Sequence, residues 1–447
     1  MAGLPELRYA AREIFLAALK SVDARAAVRR ALSFEDSSLR IGETTFGAEE
    51  LRHGIYAVAI GKAARPMASV LDEMLGERLT AGVITAPPSE DALFERWRVF
   101  AGGHPLPNRE SMRAAQAAFD LLQRADERSA PVIFLISGGG SAMMEWPRDA
   151  RLTLDDLRAA NGALVSCGAS ITEINAVRRA LSDVKGGRLA ARAARCRQVS
   201  LIISDTGHGE EDSVASGPTF DPRAGAPDAA SVISRYGLAS SLPDSIFRSI
   251  KHAEKETEPK SQRAPREHYV LLENETAIEA AAEAARARGY CVEIARDIIE
   301  QPVDEGCSLL LSRLFELRHR MGKEGSVACL ISGGEFACPV RGGGAGGRNT
   351  ESALRWAIEL ERYAADHAGQ FHAVTLSAGT DGIDGNSPAA GAIADETTLE
   401  HARLMLMNAR DFLDESDAYT FFERLGDALV TGATGTNVRD VRILLAS

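Results

Sequence analysis

The sequence predicts an α/β protein built as two three-layer α/β domains, with largely parallel sheets and an active-site cleft between them. Short apolar runs repeatedly end in glycine and give way to helical patterns, the order of elements in a parallel sheet. The pentapeptide Leu-Ile-Ser-Gly-Gly occurs at 135–139 and again at 330–334, so each half offers a glycine turn at a strand end. Between them KHAEKETEPKSQRAPRE, from Lys251 to Glu267, is charged, has two prolines and lacks apolar periodicity, as a linker does. The expected parts are residues 1–250, the linker 251–267 and residues 268–447. A chain of 447 residues exceeds what one hydrophobic core usually serves.

Composition bounds the function. Fifty-one basic residues stand against 63 acidic ones, a formal charge of −12, which argues against a general nucleic-acid surface. Apolar runs fall short of the roughly 20 residues a membrane helix needs. The opening MAGLPELRYAAREIFLAALKSVD lacks signal-peptide regions and reads as an amphipathic helix. Cys167, Cys196, Cys291, Cys307, Cys329 and Cys338 form no CxxC, so zinc is not expected and the thiols read as reduced. The expected compartment is the cytoplasm.

Taken in order, residues 6–33 read as one or two helices. The strand Ile55 to Ile60 runs into Gly61-Lys62 and a helix, placing Lys62 at a strand's carboxyl end, where ligands of open α/β sheets sit. This is no Walker A loop, because no glycine precedes Gly61 at the required spacing and Ala63 replaces Ser/Thr. A helix start disfavours a cation, so Lys62 is a candidate for function. Strands at Gly82 to Ala86 and near Val99 lead to Gly102-Gly103-His104-Pro105, where His104 suits either substrate or its own loop. The strand Val132 to Ile136 ends in Ser137-Gly138-Gly139-Gly140-Ser141, a second turn rich in donors. Helices follow over 153–195, and Arg178, Arg179, Lys185 and Arg188 suggest an anion-facing wall or a solvated face. The strand Val199 to Ile203 delivers Ser204-Asp205; a carboxylate there suits magnesium or a general base.

The second half centres on VACLISGGEFACPVRGGGAGGRNTE, Val327 to Glu351. Seven glycines fall within the fifteen positions from Gly333 to Gly347. Glycine lets backbone amides converge on an anion, and Asn349 or Thr350 can cap a helix whose positive end suits phosphate. Arg348 adds a planar fork for phosphate or carboxylate. Before it come the strand Tyr269 to Leu272 with Asn274 behind it, expected to begin the second domain, and the strand Cys291 to Ile294. After it, Ala373 to Ser377 ends in Thr380-Asp381-Gly382-Ile383-Asp384, a glycine loop for metal or hydroxyl. Its spacing is not that of an EF-hand. The chain closes with TGATGTN at 431–437 and the strand Val441 to Leu445.

Together Ala59-Ile-Gly-Lys-Ala, Gly-His-Pro, SGGGSA, VKGGRLA, SD…ASGPT, GGRN-x-E, GTDGIDG and TGATGTNV resemble the glycerate 2-kinase family, from about residue 8 to the end. The resemblance implies a Rossmann-like N-terminal kinase domain and a C-terminal domain called MOFRL. It implies ATP-dependent phosphorylation of D-glycerate at the 2-hydroxyl, with Mg²⁺. The family's catalytic lysine, aspartate and arginine fall on Lys62, Asp205 and Arg348. Substrate or nucleotide binding is expected at Ser137, Gly138, Gly139, Gly140, Ser141, Asn274, Gly333, Gly334, Glu335, Gly346, Gly347, Asn349, Thr380 and Asp381, with Asp205 and Asp381 as metal ligands. Partners are then small molecules, with neither nucleic acid nor membrane; a homodimer stays open.

The chain departs from the family pattern at Phe336, at Ala433 and in Thr206 to Glu210, which puts nucleotide, metal and acceptor contacts in question. Two other readings stand beside this one. Gly342-x-Gly344-x-x-Gly347 matches a dinucleotide-binding GxGxxG and so suits an NAD(P)H-dependent dehydrogenase, and hydroxypyruvate reductase is a label also attached to the resembled family, although Pro339 interrupts the run before the motif. SGGGSA also suits a non-catalytic phosphosugar-binding regulator, against which Lys62, Asp205 and Arg348 argue.

Overall fold

The computed structural model describes residues 2–89, 95–253, 263–322, 327–366 and 372–447. The chain divides into two compact units, Ala24–Leu272 and the combination of Met1–Asp23 with Glu273–Ser447.

The Ala24–Leu272 unit begins with the helix Ala24–Ala31 and a small antiparallel sheet of β1 (Leu32–Glu35), β2 (Ser38–Ile41) and β3 (Thr44–Phe46), which the sequence reading did not anticipate. Its main sheet comprises β4 (Ile55–Ile60), β5 (Leu79–Ala86), β6 (Trp97–Ala101), β7 (Val132–Ser137), β8 (Gln198–Ile203) and β9 (Arg266–Leu272). The order is β6-β5-β4-β7-β8-β9, with every pair parallel. Strands β4, β7 and β8 are buried along their whole length, and β4 and β7 up to Ile136 accordingly read as unbroken apolar runs. The chain winds outward from β4 to β6, then returns to place β7 on the other side of β4. That reversal opens a crevice at the carboxyl ends of β4 and β7. The helices Ala64–Leu75 and Arg109–Arg128 pack on the sheet. Asn108 starts the second of these by accepting the Ser111 N–H at 2.8 Å. A satellite core under the helices Leu154–Ser166, Ile171–Leu181, Ala229–Arg235 and Asp244–Ala253 buries Leu157, Val177, Ile233 and Ile246.

The second unit has a mixed six-stranded sheet of β10 (Cys291–Ile294), β11 (Ala328–Ser332), β12 (Ala373–Gly379), β13 (Gly391–Asp395), β14 (Ala428–Leu429) and β15 (Asp440–Ala446). The order is β10-β11-β15-β12-β13-β14. Strands β10, β11, β12 and β14 share one direction; β15, inserted between β11 and β12, and β13 oppose it. Leu330 and Leu444 meet Leu310, Trp356 and Leu360 from the helices Val303–Arg320 and Arg348–Asp366 in one core. The helix Leu4–Ser21 buries Leu7, Ala11, Ile14 and Phe15 and packs on the helix Asn274–Arg286, β12 and β15.

The division of the chain differs from the boundaries expected of 1–250 and 268–447. The first helix belongs with the C-terminal unit, because its apolar row packs there. The stretch Tyr269 to Leu272 closes the first sheet as β9 instead of opening the second, pairing in parallel with β8. Of the expected linker, residues 254–262 lie outside the described residues, and Arg266 and Glu267 already belong to β9. No helix among the described residues is long and apolar enough to cross a membrane.

Arg8 ties the first helix to its unit by ion pairs with Asp395 and Asp427. Burial pushes the Asp427 carboxyl above its ordinary range, and Arg8 opposes that shift. Arg8→Ala leaves both carboxylates without this counter-charge. Allowing for partial exposure, the expected loss is about 2 kcal/mol, read as a lower urea midpoint of the full-length protein. An unchanged midpoint would mean apolar packing alone holds the helix.

Candidate active site

In the Ala24–Leu272 unit the carboxyl ends of three adjacent strands carry the predicted residues: Lys62 after β4, the glycine turn after β7 and Asp205 after β8. The Lys62 amide donates to the Gly138 carbonyl at 2.9 Å, and the Ala63 amide to Ser137 Oγ at 3.0 Å. Ser137 Oγ in turn donates to the Ile60 carbonyl at 3.2 Å. Ser137 is therefore buried and engaged in clamping two strand ends together. A Cβ on Gly138 would lie 2.0 Å from Asp205 Oδ2. Only glycine lets that carboxylate lie over the turn. A Cβ on Gly139 would come within 3.1 Å of His104 Cδ2, so the Gly-His-Pro loop reaches the same turn.

Behind the turn runs a polar chain. Ser141 Oγ and Ser216 Oγ are 2.8 Å apart, and Ser216 Oγ donates to Asn175 Oδ1 at 2.8 Å. Ser216 and Asn175 are buried, and Ala215, Ser216 and Gly217 all adopt positive φ. Two non-glycine residues in that region cost on the order of 1–2 kcal/mol each, which the surrounding contacts hold in place. Asn175 and Ser216 escaped the sequence reading, because their pairing across 41 positions leaves no local pattern. The four-cation wall divides. Lys185 is buried in an ion pair with Glu145, and Arg178 donates to Asn161 Oδ1 at 2.8 Å. Burial pushes the Lys185 pKa down, against the pull of Glu145.

The second unit gathers its residues around the start of β15. Because β15 runs opposite to its neighbours, Asp440 begins beside the ends of β11 and β12. Arg348 donates from Nε to Asp440 Oδ2 at 2.6 Å and from Nη2 to Oδ1 at 3.2 Å, and it pairs with Glu335 at 2.8 Å. Burial works against the Asp440 charge, yet Arg348 and then Arg442 hold the carboxyl below its ordinary range. Arg442 is fully buried, lies 3.5 Å from the Phe336 ring centroid, and is pushed down to about 10 by desolvation. Phe336, a departure from the family pattern, is thus a wall for this guanidinium.

The start of the helix Arg348–Asp366, expected to suit phosphate, carries a carboxylate in this structure. Asp384 already occupies its start, accepting the Asn349 N–H at 2.9 Å, the Thr350 N–H at 2.8 Å and the Thr350 hydroxyl at 2.7 Å. The glycine loop is likewise satisfied from within the unit. Gly344 donates to the Glu415 carbonyl, Ala345 to Asp417, Gly346 to Asn386 and Gly347 to Thr350. The glycines let the loop lie close on these partners. Asn349 itself bridges Asp440 and Ser377. Asn274 donates to the carbonyls of Val438 and Asp440 and accepts the Gly334 amide at 2.9 Å. A Cβ on Gly333 would sit 1.8 Å from its Oδ1. Thr380 is buried between the Arg439 carbonyl and the Val438 amide, and Asp381 accepts the Ile383 amide at 3.1 Å. Asn274, Asn349 and Thr380 therefore brace loops. Asp440 and Arg442 were missed, though charges alternating into the closing run Asp440-Val-Arg442-Ile-Leu-Leu marked them. Asp384 was read only as part of its loop.

A doubly wound parallel sheet with a lysine, a glycine turn and an aspartate gathered at neighbouring strand ends has the layout of an α/β enzyme. The comparisons specify it further. A family model described as "Domain of unknown function (DUF4147)" matches residues 10–251, and the MOFRL family matches residues 328–440. D-glycerate 2-kinase of Thermotoga maritima is 34% identical over 390 residues, 87% of this chain and 90% of that one. A protein of Agrobacterium vitis with the provisional name hydroxypyruvate reductase is 34% identical over 440 residues, 98% of this chain and 94% of its own. The crystal structure of glycerate kinase from Thermotoga maritima matches with a TM-score of 0.81 at 31% identity, covering 99% of each chain. The chain belongs to the glycerate kinase family.

Asp440→Asn keeps the shape and removes the charge facing two arginines. Leaving the buried Arg442 without its counter-charge, and Arg348 with Glu335 alone, costs about 3 kcal/mol, which denaturant unfolding should report. Asp384→Ala, which removes a helix cap, should cost about 1–2 kcal/mol. Equal midpoints for Asp440→Asn and the parent would refute the central role given to that carboxylate.

Proposed function

We propose that this protein transfers the γ-phosphoryl group of ATP to the 2-hydroxyl of D-glycerate, giving 2-phospho-D-glycerate and ADP. The observation that carries the reading is the placement of Lys62, the glycine turn and Asp205 on three neighbouring strand ends at the reversal of strand order. Phosphoryl transfer depends on alignment and charge neutralisation more than on covalent help. In this reading Lys62 offsets the charge of the phosphoryl oxygens. Asp205 serves either as base or as magnesium ligand; as base it takes the acceptor proton as the glycerate oxygen bonds to phosphorus and the bond to the ADP oxygen breaks. Arg348 has committed its Nε edge to Asp440, so it is Nη1 that it offers to a phosphate.

Magnesium usually takes one or two carboxylates and fills its remaining positions with phosphate oxygens and water. Asp205, at a strand end with the Ser204 and Thr206 hydroxyls close in sequence, suits that donor set, and the bound ion would neutralise phosphate charge. Asp381, with Oδ1 drawn into its own turn, suits it less.

A second reading, NAD(P)H-dependent hydroxypyruvate reduction, draws on the name of the Agrobacterium relative and on a strand order that dinucleotide-binding folds share. Its fingerprint is weak here. The turn after β4 has a single glycine, and the amides of Gly344 to Gly347 are engaged elsewhere.

With MgATP and D-glycerate, coupling through enolase without phosphoglycerate mutase should report turnover. A signal only after mutase is added would overturn the 2-position, and ATP-independent NADH oxidation by hydroxypyruvate would favour the second reading. Lys62→Ala and Asp205→Asn should each lower kcat at least about 100-fold, the usual cost of one electrostatic contact in the transition state. Arg348→Lys should lose as much, because it loses the fork that seats it on Asp440. Full kcat in folded Asp205→Asn would remove Asp205 from the mechanism.

A further inference from the structure

Arg179 and Arg188, the two members of the cation wall that do not turn inward, line a cavity of about 350 Å³ together with Arg148 and Arg223. None of the residues proposed for catalysis borders it. Asp228 is the single carboxylate of the lining, and its Oδ2 is engaged by the Ser231 amide and hydroxyl at 2.9 and 2.8 Å. The rest is alanine, proline, glycine and Ile250.

The arginines are held in place. Arg188 Nη1 donates to the carbonyls of Arg179, Ser182 and Lys185 at 2.8, 3.3 and 3.2 Å, which anchors it at the end of the helix Ile171–Leu181. Arg223 pairs with Asp212 at 2.6 Å. The stem of Arg179 crosses Gly186, where a Cβ would lie 3.0 Å from its Cδ. Among the described residues the Arg179 guanidinium has no hydrogen-bond or ion-pair partner. Burial pushes its pKa down and Arg188 adds to the fall, with Asp212 opposing. A half-buried cation beside a second cation, without a partner of its own, is a placement that an anion would relieve.

We infer that this cavity binds a small phosphate-bearing anion through the guanidinium groups of Arg148, Arg179, Arg188 and Arg223. Arg223 is engaged by Asp212 outside the lining, the Arg179 fork has no such partner among the described residues, and a phosphate presents three or four oxygens to converging guanidinium groups. The volume lies at the small end of ligand pockets, roughly 300–1,000 Å³. No aromatic side chain lines it to stack on a base, so the ligand is a phosphomonoester or phosphate and not a nucleotide.

The test is isothermal titration of the full-length protein with inorganic phosphate, methyl phosphate and malonate at matched ionic strength. The parent is compared with Arg179→Gln, Arg223→Gln and Lys62→Ala. The expected result is that both arginine changes weaken methyl phosphate binding at least about tenfold and that Lys62→Ala leaves it intact. Loss of binding in Lys62→Ala would assign the anion to the catalytic site and overturn the proposal. So would binding unaffected by either arginine change, or no binding at all. Malonate binding as tight as methyl phosphate would overturn the phosphate class. Arg223 is exposed, so Arg223→Gln keeps the test decisive even if Arg179→Gln does not fold.

Discussion

A carboxylate removed from water must be matched by charge and hydrogen bonds, and Asp440 imposes that requirement on much of its unit. It stands at the first position of β15, the strand whose reversed direction brings it between the ends of β11 and β12. Its two oxygens take Arg348 and Asn349, the first residues of a 19-residue helix. Arg442, two residues along the same strand face, lies 3.6 Å away and reaches the carbonyls of Gly333 and Gly334. Helix start, glycine turn and sheet centre are thus fixed by one group. The position of Arg348, the residue of this unit with the best claim to chemistry, is a consequence of that arrangement.

The repeated Leu-Ile-Ser-Gly-Gly has a shared steric meaning and two different uses. In the first unit Gly138 makes room for the carboxylate of Asp205; in the second, Gly333 makes room for the amide of Asn274. The carboxylate lies over a glycine turn at the carboxyl ends of the strands. The amide is consumed by three backbone groups and joins the loops that follow β9, β11 and precede β15. One pentapeptide therefore makes room for a carboxylate in one unit and for a bracing amide in the other.

Much of this was legible in the sequence because it depends on local pattern. Buried strands at Ile55–Ile60, Val132–Ser137 and Ala373–Gly379 announce themselves as apolar runs ending in glycine, and Lys62 and Asp205 follow such runs directly. What was not legible depends on partners far apart in sequence. The glycines at 342–347 have the composition of an anion cradle, yet Glu415, Asp417 and Asn386 decide where their amides go. Asp384 takes the helix start that looked ready for phosphate from 35 residues downstream. The stretch at Tyr269 looks like the opening strand of a domain; only its pairing with β8 makes it the closing one.

The first helix buries its apolar row against elements that begin only at Glu273, after the whole Ala24–Leu272 unit has been made. During synthesis at about 5–20 residues per second, that row emerges on the order of 10–50 seconds before its docking surface exists. The intervening unit can close its own parallel sheet in that interval, because all six strands are contained within it. Leu7, Ile14 and Phe15 meanwhile face solvent or whatever binds nascent apolar chains. β15 packs against this same helix, so the unit joins segments from opposite ends of the described residues and waits for β15 before it can close.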